Sequence, residues 1–242
     1  MLKRFGAGAI DLTDGPIGRT LLMFSLPALA SNVLQSINTS INAVWVGRFL
    51  GERGLAATAN ANMITFMMIS MVFGFGMAST IVIGQAMGRK DIGAMREAFG
   101  TGVAIFLALG FTVAIVGWVC APGLLDMLGT PPDAYDMALT YLRVMFAGMP
   151  FMLLSTYLAL ALRSVGDSMT PLLLMLPGLA VDIGLNPVLI LGLGPAPRLG
   201  IAGSGIASLT ASAVSVLAFL WVIYKRDLPI RLRGAELRFL KP

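Results

Sequence analysis

Long uncharged stretches alternate with short charged ones along almost the whole chain of 242 residues. A helix needs about 20 apolar residues to cross a bilayer, and six stretches meet or approach that length. They are Thr20–Gly47, 54–88, 98–125, Val144–Leu162, 168–197 and Leu199–Tyr224. The pattern predicts an all-α polytopic membrane protein with six transmembrane helices in residues 20–224. An amphipathic lead-in at 1–19 and a basic tail at 225–242 flank them.

Amide side chains recur along the second half of the first predicted helix. Asn32, Gln35, Asn38 and Asn42 follow one another at spacings of three or four residues, which place them on one helical face. An amide facing lipid would leave its donors unsatisfied, so we expect this face to point inward. Two interpretations stay open: hydrogen bonds between helices, or the lining of a polar substrate cavity.

The fifth predicted helix carries an acid near its middle. Asp182 is the one ionisable residue among the 30 residues between Asp167 and Arg198. Intramembrane carboxylates are costly and usually face a protein interior or a wet cavity. Asn186 lies one turn further on the same face. We interpret Asp182 and Asn186 as an ion-coupling site for H⁺ or Na⁺, with a structural, hydrogen-bonded aspartate as the alternative.

Serines at one-turn spacing mark one face of the sixth predicted helix. Ser204 and Ser208 begin this series, which continues with Ser212 and Ser215. Serines so spaced are typical of close helix packing. The other interpretation is that Ser204 and Ser208 line the substrate cavity together with Asn32, Gln35 and Asn38.

The distribution of charge predicts how the chain is oriented in the membrane and what its loops contact. Only 12% of the residues are charged, against about 25% in soluble domains. Thirteen of the seventeen basic residues fall on one side of the predicted spans, which places both termini in the cytoplasm of a cell whose inner (plasma) membrane holds the protein. The net charge of +5 lies in loops beside the spans, so it indicates contact with membrane lipid rather than nucleic acid.

The sequence offers no enzyme chemistry. With one cysteine and no histidine, a zinc or haem site is not expected, and neither a phosphate-binding glycine loop nor a nucleophile–histidine pair occurs. We expect no enzyme activity and no cofactor, with H⁺ or Na⁺ as the coupling ion. Na⁺ at Asp182 would be the one metal ion involved.

Several segments in a fixed order resemble the multidrug and toxic compound extrusion (MATE) transporters, specifically their amino-terminal six-helix lobe. The segments are DLTDGPIGRTLLMFSLPALASNVLQSINTSINAVWVGRFLG, GFGMASTIVIGQAMGRKD, ALRSVGDSMTP, and VDIGLNPVLILG followed by PRLGIAGSGIAS. The resemblance implies a secondary antiporter that exports small organic cations in exchange for H⁺ or Na⁺. It also implies that this lobe must pair, either with a copy of itself or with a second lobe.

Two positions depart from the pattern that the resemblance implies. Asn42 stands where the first helix of the family typically carries an acid, and for that reason Asn42 joins the expected ion-coupling residues. In the fifth helix the usual order is asparagine and then aspartate; here Asp182 precedes Asn186. Two alternatives to the antiporter stay open: a lobe without transport activity, and a flippase for lipid-linked precursors.

Overall fold

The computed structural model describes residues 17–193 and 197–225, and this part of the chain contains helices and no strand. The helices are α1 (Ile17–Gly88), α2 (Ile92–Met127), α3 (Pro132–Ser164), α4 (Met169–Leu191) and α5 (Ile201–Lys225). All five are long and apolar enough to cross a membrane. The all-α polytopic prediction is confirmed.

The first helix reverses direction at Gly51. The backbone there leaves helical geometry, with φ 72° and ψ −165°, a region that is essentially restricted to glycine. A Cβ on Gly54 would lie 3.3 Å from a methyl carbon of Val46, although residues eight apart in a straight helix are separated by about 12 Å. We name residues 17–50 the first arm and residues 52–88 the second arm.

Contacts along the neighbouring helices give the direction of the second arm. The Asn60 amide donates to the Thr130 hydroxyl, next to the start of α3, and Ser79 hydrogen-bonds Tyr157 near its end. The second arm and α3 therefore run the same way. The loop predicted at 48–53 is corrected to a bend, because helical backbone continues to residue 50 and resumes at 52, and the helix count differs from the predicted six for that reason alone. The bent α1 takes up the first two predicted spans.

The core lies between the second arm, α2 and α3. Tyr157 is fully buried, stacks on Phe99 and Phe106, and donates its hydroxyl to the Phe99 carbonyl at 3.1 Å. Glycines on α2 allow α3 to approach closely. A Cβ on Gly110 would lie 2.7 Å from Pro150 Cα. This packing fixes α3 as the central helix of the bundle.

Helices α4 and α5 form a tight antiparallel pair. A Cβ on Gly203 would lie 2.6 Å from the carbonyl carbon of Leu189, and one on Gly178 would overlap the Ser215 hydroxyl. Asp167 holds the start of α4 by accepting from the backbone N–H and the hydroxyl of Thr170, at 2.9 and 2.6 Å. The site residues on these two helices are thereby set in a fixed register.

The predicted lead-in and tail lie almost wholly outside the described residues. Of the lead-in, residues 17–19 belong to α1; of the tail, Lys225 ends α5. The domain limits at 19 and 225 stay predictions.

We expect Gly110→Ala to lower the thermal stability of the purified protein. A methyl group would press on the backbone of Pro150, and overpacking of this kind costs about 1–3 kcal/mol. Gly123→Ala in the same helix is the control, because nothing lies within 4 Å of its added carbon. The measurement is the melting temperature in detergent. Equal melting temperatures for the two variants would contradict the close approach of α2 and α3.

Candidate functional site

The candidate site is centred on the Asp182 carboxylate, near the middle of α4. Its side chain is 3% exposed and accepts two hydrogen bonds from two other segments. The Asn38 amide of the first arm donates to Oδ2 at 2.7 Å, and the Ser208 hydroxyl of α5 donates to Oδ1 at 3.1 Å. One carboxylate therefore joins three segments that are distant in the sequence.

A second polar contact lies one turn away from the first. The Ser204 hydroxyl donates to the Asn42 Oδ1 at 3.0 Å, which joins α5 directly to the first arm. Asn186, one turn after Asp182 on α4, is 1% exposed, and its Oδ1 has no hydrogen-bond partner among the described residues. A buried acceptor normally has a partner, so the Asn186 oxygen is a second polar group on this face of α4 whose partner is not among the described residues.

Six of the eight residues that the sequence analysis named are brought together here. The six are Asp182, Asn186, Asn42, Asn38, Ser204 and Ser208. Asn32 and Gln35, earlier on the first arm, are exposed, and no hydrogen bond joins the side chain of either to the carboxylate or to another described residue. Whether these two line a cavity stays a prediction, because in this lobe they face its surroundings.

Sequence reasoning missed one buried polar group on the first arm. The indole Nε1 of Trp45 is buried and has no hydrogen-bond partner in residues 17–193 and 197–225, and its ring stacks on Phe49 at 5.3 Å. The available signal was spacing, because Trp45 follows Asn42 by three residues and so falls on the same helical face. The first arm therefore carries, about one turn beyond Asn42, a buried N–H donor that has no partner among the described residues.

The polar atoms that meet at the site are the oxygens of one carboxylate and of amide and hydroxyl groups. The Asn38 nitrogen is the exception. No group of three or more histidine, cysteine, aspartate or glutamate side chains occurs in the part of the chain that the structure describes. Carboxylate and amide oxygens suit hard cations, and a carboxylate also binds a proton. The side chains that meet at Asp182 are therefore of the types that suit a proton or a hard cation.

Comparison with known proteins places the chain in a family. The profile of the MatE family matches residues 27–188, more than half of the sequence. The chain belongs to the MatE family. A probable multidrug resistance protein of Bacillus subtilis, YoeA, is 34% identical over 225 residues, covering 93% of this chain and 49% of YoeA. The FAD transporter of Shewanella oneidensis is 27% identical over 90% of this chain and 48% of its own length.

Solved structures show the same fold. An outward-facing MATE transporter superposes with a TM-score of 0.86 at 23% identity, over 96% of this chain and 51% of its own. A transporter of the wider superfamily from Pyrococcus furiosus, described as having a binding pocket of reverse polarity, gives a TM-score of 0.85 at 24% identity. This MatE chain spans about half the length of the relatives that it matches.

We expect Asn38→Ala to destabilise the lobe measurably. It removes a donor from a buried carboxylate, and hydrogen bonds to charged groups contribute about 1.5–3 kcal/mol. Gln35→Ala, one turn earlier on the exposed part of the same arm, should change stability by less than about 0.5 kcal/mol. Thermal melting of both variants in one detergent compares them. A larger loss of stability for Gln35→Ala than for Asn38→Ala would contradict the hydrogen bond assigned to Asn38.

Proposed function

We propose that this chain is a lobe of a secondary multidrug exporter that moves small organic cations outward in exchange for H⁺ or Na⁺. The observation that carries the proposal is the buried Asp182 carboxylate in a membrane-length helix, with a second buried polar side chain, Asn186, one turn further along it. Buried intramembrane acids mark ion pathways by default. The multidrug names of the relatives support the export of varied compounds.

Coupling would work through competition between cation binding and the existing hydrogen bonds. An ion at Asp182 takes up carboxylate lone pairs that now accept from Asn38 and Ser208. Loading the site would then alter the contacts between the first arm and the α4–α5 pair. A ligand changes a conformational equilibrium only by binding one state better, and these contacts are where the difference would arise.

We expect Asp182→Asn to abolish gradient-driven efflux while the protein stays folded. Asparagine keeps the size and the acceptor oxygen but cannot carry the negative charge or bind a proton at that position. Proteoliposomes holding the assembled transporter, tested with imposed pH and Na⁺ gradients, give the measurement. Asp126→Asn is the control, since Asp126 is exposed at the end of α2. Efflux by Asp182→Asn at the wild-type rate would remove Asp182 from the coupling role.

We further propose that the lobe functions as half of a pair. Asn32 and Gln35 are exposed on a membrane-length helix, and neither amide makes a hydrogen bond to any described residue. Unpaired amides in hydrocarbon cost several kcal/mol each, so this face requires protein or water opposite it. A second copy of the chain, related by a two-fold axis along the membrane normal, or a separate second lobe would supply that cover.

Cross-linking tests the pairing. Cys120 is first replaced by serine, and a single cysteine is then placed at Gln35 or, as control, at Val119, which is 72% exposed on α2. For a homodimer we expect cross-linked dimers from position 35 and none from position 119. Mass measurement in lipid nanodiscs gives the stoichiometry. A monomer that cross-links at neither position would exclude the homodimer and leave a separate second lobe as the partner.

The proposed orientation places both termini in the cytoplasm of the inner (plasma) membrane, from the bias of basic residues. Lys90 follows the second arm and Asp133 begins α3, so the two should lie on opposite sides. Single cysteines at these positions, labelled with an impermeant reagent in intact cells, should react only at position 133. Labelling of both from outside would overturn the topology.

A further inference from the structure

Arg143 lies at one end of the longest uncharged part of α3. Nineteen residues without charge, Val144–Leu162, separate it from Arg163. At about 1.5 Å per residue they span about 28 Å, close to the thickness of a bilayer's hydrocarbon core. Arg143 is thereby placed at the depth of the lipid headgroups, on the side of the turn between α2 and α3.

Among the described residues, the Arg143 side chain has no anion to bind. It is half-buried, its Nε is covered without a hydrogen-bond partner, and it makes no ion pair with any residue that the structure describes. Arg53 is another arginine expected on this side of the membrane. It differs from Arg143 because it forms an ion pair with Asp133 at 3.3 Å. A half-buried guanidinium needs an anion or water to satisfy its remaining donors.

Trp118 of α2 holds this guanidinium in place. The Arg143 Cζ lies 5.6 Å from the centre of the indole ring, a cation–π distance, and Trp118 is 45% exposed. Next to it, Gly117 lets α3 approach α2, since an added Cβ would overlap the Phe146 ring. Tryptophan is enriched at the level of the headgroups. The pair thus forms a positively charged edge at the α2–α3 seam, where lipid meets protein.

An exposed acid lies on the same face of α3, farther from the membrane centre than Arg143. Asp136 precedes Arg143 by seven residues, two helical turns, and makes no ion pair within the described part of the chain. Helix side chains lean toward the N-terminus, so the long Arg143 side chain reaches toward Asp136. The face therefore presents a cation at headgroup depth and an anion beyond it.

We propose that Arg143 and Trp118 form a binding site for a phospholipid of the ethanolamine type. The guanidinium donates in parallel to two phosphate oxygens, a geometry that its planar fork matches, and the lipid's ammonium group faces Asp136. Charge order along the helix selects a zwitterionic headgroup over an anionic one, because the exposed Asp136 repels additional negative charge. The site is separate from Asp182 and does not depend on the proposed transport activity.

Native mass spectrometry of the full chain in detergent tests this site. The protein is titrated with phosphatidylethanolamine, and the bound lipid molecules are counted. We expect Arg143→Gln to weaken that binding about tenfold, Arg143→Lys to weaken it less because the charge is kept, and Arg53→Gln to leave it unchanged. Diacylglycerol with the same acyl chains should not bind, and phosphatidylglycerol should bind more weakly. Melting curves confirm that each variant is folded; if Arg143→Gln is not, the lysine variant and Trp118→Phe provide the comparison.

Three results would overturn the proposal. Equal binding of phosphatidylethanolamine by the wild type and a folded Arg143 variant would remove the arginine from any lipid site. Competition by millimolar inorganic phosphate as effective as that of the lipid would identify a free phosphate site instead. Phosphatidylglycerol bound as tightly as phosphatidylethanolamine would reject the part assigned to Asp136.

Discussion

A membrane interior offers a polar side chain no water, and the central part of this lobe follows from that constraint. Asp182 is tolerated in α4 because the first arm and α5 each supply a donor to it. The requirement works in both directions. Asn38 and Ser208 are equally dependent on the carboxylate, since their own polar atoms need partners when removed from solvent. Three segments are thereby bound to one another at a single depth.

Close packing elsewhere keeps these partners within reach. Gly178 and Gly203 bring α4 and α5 together closely enough to fix the offset between Asp182 and Ser208. The central helix α3 packs against the α4–α5 pair on one side and against the second arm on the other. The polar site is thus held in place by close packing between helices, as expected where hydrocarbon surrounds the protein and van der Waals packing drives association.

The sequence predicted the spans well because hydropathy reports directly on the cost of placing a residue in lipid. It also predicted Asp182, since one acid in 30 uncharged residues stands out. The separation of the first helix's amides into two groups was beyond it. Periodicity places Asn32, Gln35, Asn38 and Asn42 on one face but carries no information on which of them the neighbouring helices cover. A turn between the first two spans was predicted, but its form was hidden: the charges at 48–53 resemble an ordinary loop, whereas helical backbone continues to residue 50 and resumes at 52.

The sharp reversal at Gly51 couples the rotations of the two arms. A helix turns by about 100° per residue, so a single inserted or deleted residue near the bend would rotate one arm relative to the other by that angle. Asn38 and Asn42 would then leave α4 and α5, or Ser79 would leave Tyr157. Longer turns can absorb such changes; this one has no spare residues. The length of the chain between the two arms is consequently as constrained as the identity of the residues at the site.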